Sequence, residues 1–138
     1  MNTKESYFNT HQWPFYSLLF AGVYNLVWGS VVVLFPTLFF DMMNYPVPKY
    51  LSIWQCVGMI VGVYGIGYLI SAFNPSQHWV VVLVGLLGKI FGPIGFVYHL
   101  YQGTFPIQFG WVILGNDLIW WIPFGLILFF VFKEKDHA

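Results

Sequence analysis

The chain has 138 residues, 59% of them hydrophobic and only 7% charged, and its five basic and five acidic side chains balance to a formal charge of zero. An ordinary soluble domain carries about 25% charged residues, and a body this small has too much surface for its volume to do without a polar shell. The composition excludes a water-soluble domain. With no arginine and no net charge, it also argues against a nucleic-acid binder or a polybasic lipid patch.

The chain opens on a polar segment from Met1 to Trp13 that holds one lysine. The apolar run after it is too long for the core of a removable signal peptide, and no small-x-small cleavage pattern follows. Four apolar runs then cover residues 15–35, 51–73, 79–101 and 111–132. Each reaches the roughly 20 residues a helix needs to cross about 30 Å of hydrocarbon. Strands are excluded because their alternating pattern is missing, and lipid requires each segment to satisfy its own backbone. The breaks carry the expected punctuation: Pro36, Pro46 and Pro48, then Asn74 to His78, then Gly103 and Pro106. Trp13, Trp54, Trp79 and Trp111 fall at span ends, where an amphipathic indole prefers to sit. The expected fold is all-α, a single integral membrane domain built as a four-transmembrane-helix bundle.

Four spans place both termini on one side of the bilayer. Lys4, Lys133 and Lys135 gather there against Lys49 on the other side, which favours cytoplasmic termini. The tail from Lys133 to His137 reads as a solvated stop that sets cations at a helix C-terminus.

At 100° per residue the unusual side chains share faces. These are Ala21, Gly22, Asn25, Trp28 and Gly29 on the first span, and Gln55, Gly58, Gly62 and Gly65 on the second. The third has Gly85, Gly88, Lys89, Gly92, Phe96 and His99, and the fourth Asn116, Asp117, Trp120 and Pro123. Gly58 with Gly62, and Gly88 with Gly92, have the four-residue spacing that lets helix backbones approach, so both pairs read as packing motifs. Cys56, the lone cysteine, reads as a small packed apolar side chain. His99 has no histidine partner at ligand spacing, which argues against an axial haem role.

Lys89 and Asp117 lie well inside apolar spans, where a lone charge costs at least ~2.5–3.5 kcal/mol. A short connection makes the third and fourth spans neighbours, so the two side chains are expected to form an intramembrane ion pair, with Asn25, Asn116 and Gln55 hydrogen-bonding around it. Trp28, Trp120 and Trp121 lie away from the interfaces and read as core packing, Trp28 and Trp120 being also candidates to line the same site. Taken alone, Asn25 and Gln55 read as interhelical hydrogen bonds. Pro93 cannot donate to the carbonyl of Lys89, nor Pro123 to that of Ile119, so both are expected to kink their helices and free a carbonyl that needs a partner. A faint internal echo links Asn25-Leu26-Val27-Trp28 with Asp117-Leu118-Ile119-Trp120, and Tyr64 to Tyr68 with Phe91 to Phe96. Repeats of that kind build midplane sites in transporters.

No hydrolase elbow, zinc-protease motif, phosphate loop or dinucleotide fingerprint is present. The run from Gly115 to Phe124, with Gly85 to Phe96 before it, resembles a group of small bacterial four-helix membrane proteins, similar in architecture to the DoxX-like membrane proteins. That resemblance implies a bacterial inner-membrane protein. Some DoxX-like proteins are linked to quinone-dependent sulfur oxidation, but no catalytic residue, cofactor or metal carries over. The expected function is a non-enzymatic one: binding or transporting a small ligand at the buried polar site, or serving as an accessory subunit. A quinone-linked redox component is the alternative. The lipid bilayer is the expected partner, together with further copies of the chain or a larger membrane complex, because four spans are few for an autonomous carrier.

Overall fold

The computed structural model describes residues 6–136; Lys4 and His137, which entered the orientation and tail readings, lie outside them. The described residues form helices and turns without a strand: α1 (Tyr7–Thr10), α2 (Trp13–Leu34), α3 (Leu38–Met42), α4 (Leu51–Phe73), α5 (Trp79–Tyr101), α6 (Gly110–Asn116) and α7 (Trp121–Asp136). Four stretches are long and apolar enough to cross a membrane, namely α2, α4, α5 and the composite Ile107–Asp136. The first three are continuous. The fourth is not: α6 ends at Asn116, a 3-10 turn covers Leu118–Trp120, and α7 begins at Trp121.

Glycine sets the tightest contact in the molecule, between α2 and α4. A β-carbon added at Gly22 would stand 2.7 Å from the Leu69 side chain and 2.9 Å from the Gly65 carbonyl oxygen. One added at Gly29 would collide with the Gly58 carbonyl and lie 2.9 Å from the Gly62 nitrogen. Only residues without a side chain allow two backbones this close, and van der Waals contact is what holds helices together in lipid. Gly58 therefore packs as its spacing predicts, whereas a β-carbon on Gly62 would meet nothing within 4 Å and only its backbone lies against Gly29. The Gly88–Gly92 pair does not pack on a helix: a β-carbon at Gly88 would meet nothing within 4 Å, and one at Gly92 would meet the Asp117 carboxylate instead.

The half of the bundle nearest the termini is filled by Leu18 and Ala21 of α2, Tyr68 and Ala72 of α4, Val82 of α5, and Phe124, Ile127 and Val131 of α7. The N-terminal segment is pinned there by the tail. Glu134 accepts hydrogen bonds from Ser6 Oγ (2.9 Å), from the Tyr7 backbone N–H and from Ser76 Oγ (3.1 Å). Tyr7 stacks on Phe130 at 3.9 Å between ring centroids, and Lys135 Nζ lies 4.1 Å from the centre of the Trp79 ring. The tail is thus more than a solvated stop, because Glu134 ties α1 and the α4–α5 turn to α7. Glu134→Ala should cost about 1–2 kcal/mol in that local anchor, read as faster amide exchange at Tyr7 and Phe8 with the spans unchanged.

At the opposite end Trp28 packs against Phe39 and Trp54, and Trp54 against Phe40 and Phe109. The short helix α3 folds back to complete this aromatic cluster, burying Phe40. Trp54 is therefore part of the packing at this end of the bundle, and its Nε1 is buried with no hydrogen-bond partner among the described residues. Cys56 is exposed, contrary to the packed role expected of it. It faces outward from a shallow groove on the α2–α4 pair, where lipid supplies the apolar contact that a core would.

Candidate functional site

The break in the fourth span is built into its sequence. Gly115, Asn116 and Asp117 are three consecutive weak helix formers, and the short polar side chains compete for backbone groups. Asp117 leaves the helix at φ −122 and ψ −62, while its N–H still closes on the Ile113 carbonyl at 2.9 Å. The Trp120 N–H then bonds Asp117 at 3.1 Å, three residues back and not four. Pro123, expected to kink a continuous helix, instead sits in the first turn of α7, where a missing N–H costs nothing.

A helix that stops in mid-span leaves carbonyls that water would cap in solution. Here side chains do it. Trp120 Nε1 donates to the Gly115 carbonyl at 3.0 Å, and Lys89 Nζ donates to the Asn116 carbonyl at 2.5 Å. Lys89 is buried, with 5% of its surface exposed. Its ammonium stands at the negative end of α6, where the helix dipole favours a cation. It also lies 5.8, 5.7 and 5.9 Å from the ring centres of Tyr68, Trp120 and Phe124, within reach of cation–π attraction.

The expected ion pair is not what holds Lys89. No Nζ–carboxylate contact within 4.0 Å joins it to Asp117. The Asp117 carboxylate lies against the bare backbone of α5 nearly one turn along from Lys89, where a β-carbon on Gly92 would stand 2.9 Å from Oδ2. The physical reason is the break itself: it offers the lysine a carbonyl at the pole of a helix dipole, closer than the Asp117 carboxylate.

Pro93 lies within α5, and the carbonyl it frees does find a partner. Trp121 Nε1 donates to the Lys89 carbonyl at 2.8 Å. Lys89 is thereby held to the fourth span at both its ends, by side chain and by backbone. Trp121→Phe should cost about 1–3 kcal/mol by orphaning that carbonyl. In a Pro93→Ala background, which restores a backbone donor four residues on, the same change should cost far less; a double-mutant cycle in mixed micelles measures the difference.

These groups surround a cavity of about 190 Å³. Its walls are Asn25 of α2, Ile60, Val61, Tyr64 and Tyr68 of α4, Gly85, Gly88 and Lys89 of α5, and Asn116 and Asp117 at the break. Lys89 lies ten residues from the start of α5 and twelve from its end, so the cavity sits roughly 15–18 Å from either terminus of that helix. Asn25 is 3% exposed and its amide bonds no protein group among the described residues. It packs beside Gly65, whose added β-carbon would lie 3.1 Å from Asn25 Cβ, much as Asp117 packs on Gly92. The two polar residues paired by the sequence echo therefore face one cavity, each over a glycine of the adjacent helix.

Of the residues singled out from sequence, Lys89, Asp117, Asn116, Asn25 and Trp120 come together. Two do not. Gln55 donates to the Val33 carbonyl at 2.9 Å, one of the last carbonyls of α2, and lines the outer groove instead. Trp28 is one helical turn beyond Asn25 and belongs to the aromatic cluster. His99 Nδ1 lies 3.0 Å from Thr104 Oγ1 and shapes the α5–α6 connection.

Sequence reasoning missed Tyr24, and it read Trp121 as core packing without its part in the site. The Tyr24 hydroxyl donates to Asn116 Oδ1 at 2.7 Å and covers Gly115, where a β-carbon would stand 3.0 Å from its oxygen. A hydroxyl at mid-span beside Asn25 was the available signal for the first. For the second it was an indole in reach of a proline-freed carbonyl.

Among the described residues no group of three His, Cys, Asp or Glu side chains is placed to hold a metal ion. No family model, no curated protein and no solved structure matches this chain.

Proposed function

We propose that the chain is a non-enzymatic membrane protein that binds, and in an assembly transports, a small polar ligand or ligand head in the Lys89 cavity. The observation that carries this reading is the surplus of polar groups at mid-span. A purely structural cluster closes its hydrogen bonds on itself, because each unmet polar group in an apolar medium costs free energy. Here the break is sealed by Lys89 and Trp120, while Asn25 and Asp117 face the cavity. A broken span beside a midplane cavity is also the device transporters use to present helix ends to a substrate.

The reading places the protein in a bacterial inner membrane with both termini cytoplasmic, as the lysine asymmetry and the resemblance to DoxX-like proteins support. Assembly with further copies or a larger membrane complex goes with it. An accessory-subunit role is favoured by a separate observation, the outward groove with Ser30, Ser52, Cys56 and Gly62 on its walls, a surface of small residues suited to a helix of another chain. A quinone-linked redox role rests on the resemblance alone.

Native mass spectrometry of protein extracted gently from its own membrane tests the proposal. A small molecule that is released from the native chain and lost in folded Asn25→Leu is the expected result. A defined protein complex holding no ligand would make this a structural subunit, and bound quinone would favour the redox role.

A further inference from the structure

Resting on that reading, we propose that the cavity is entered sideways from the lipid, between α4 and α5, and that it holds the small, uncharged polar head of an amphiphile whose apolar tail stays in the bilayer.

The route is set by where α4 covers α5 and where it does not. Near their connecting turn α4 and α5 touch closely: a β-carbon on Gly67 would meet Val81 at 2.9 Å, and one on Gly85 would strike the Tyr68 ring. Further along, added β-carbons on Gly88 and Gly95 would meet nothing within 4 Å. At Gly88, beside the cavity, the surface of α5 is therefore left uncovered by α4. Gly88 and Ile60, one on each helix, line the cavity and are both exposed. Ile60 is nine residues into α4, roughly 14 Å from its start, so its surroundings are acyl chains and not water.

Size and charge set the occupant. About 190 Å³ is little more than an engineered cavity of about 150 Å³ that accepts benzene, and well below the ~300–1,000 Å³ that encloses a drug-sized ligand. The space admits a head and leaves the rest of the molecule at the mouth, in lipid. Lys89 and Asp117 bring one charge of each sign to the walls, so an anionic head would face the carboxylate and a cationic head the ammonium. A neutral head with both hydroxyl donors and a carbonyl acceptor meets the Asn25 amide, which can donate and accept.

The probe is a photoactivatable analogue of monooleoylglycerol, a neutral head of two hydroxyls and an ester, with the full chain in phosphatidylcholine nanodiscs. Labelling of cavity residues should be suppressed by unlabelled monooleoylglycerol, with oleate and oleylamine at least about tenfold weaker and free glycerol without effect. Gly88→Leu, whose side chain has open space to occupy, should cut labelling at least about tenfold, while Val63→Leu on the lipid face of α4 should leave it unchanged. Competition by free glycerol would overturn lateral entry, and stronger competition by oleate or oleylamine would overturn the uncharged head. Full labelling in Gly88→Leu would overturn the mouth. If native mass spectrometry still finds a ligand sensitive to Asn25→Leu while no amphiphile labels the cavity, lateral entry fails and the cavity's binding role stands. If neither experiment finds an occupant, both fail.

Discussion

Replacing Lys89 with methionine should cost about 2–3 kcal/mol of stability, and Asp117→Asn less than about 1 kcal/mol. The asymmetry follows from which contacts each side chain makes. Methionine keeps the aliphatic length of lysine and its contact with Tyr68, Trp120 and Phe124, but it removes the donor from the Asn116 carbonyl. That carbonyl ends a half-helix inside an apolar span, where every backbone polar group needs a partner. Hydrogen bonds to charged groups contribute about 1.5–3 kcal/mol, and an orphaned acceptor adds its own desolvation cost. The Asp117 carboxylate, by contrast, lies on Gly92 and faces the cavity, so its amide isostere leaves the break intact. Unfolding in mixed micelles measures both. Equal and large losses would mean a direct ion pair, since removing either partner of a buried pair is costly.

Gly29→Ala should destabilise the protein by about 2–3 kcal/mol, near the top of the range for overpacking, while Gly88→Ala should stay within about 0.5 kcal/mol. Both add one methyl group to a mid-span glycine. At Gly29 the methyl falls on the Gly58 carbonyl and the Gly62 backbone, neither of which can rotate away as a side chain would. The α2–α4 pair must then part, and Gly22 and Gly65 lose their contact along with it. At Gly88 the methyl enters open space. The same unfolding assay compares them. A similar cost at both sites would mean that α4 and α5 are in close contact at Gly88, which would also close the lateral mouth.

The number of spans, the buried face of α2 and the close approach of its glycines to Gly58 and Gly65 were legible because each follows from local rules. The face of Ala21, Gly22, Asn25, Trp28 and Gly29 is the buried face of α2, since a period of 3.6 residues and the cost of polar groups in lipid leave no other choice. The convergence of Lys89 with Asp117 was legible for the same reason. What the sequence concealed was the competition for carbonyls. Asn116 and Asp117 mark a polar spot in either a continuous or a broken helix, and only the arrival of Lys89 and Trp120 at the Asn116 and Gly115 carbonyls decides for the break. Gln55 and Trp28 take the packing roles also open to them, an interhelical hydrogen bond and a core contact, and do not line the cavity. They share a helical face with cavity residues but sit at another depth, and a wheel projection discards depth.

The most direct test of how this cavity is built is a solid-state NMR measurement in lipid, with Lys89 Nζ, the Asn116 carbonyl carbon and Asp117 Cγ labelled. The structure predicts a strong dipolar coupling from Nζ to the Asn116 carbonyl and a weak one to Asp117 Cγ. A strong coupling to Asp117 Cγ with none to Asn116 would contradict it, restoring a direct ion pair and removing the capped break on which the cavity depends.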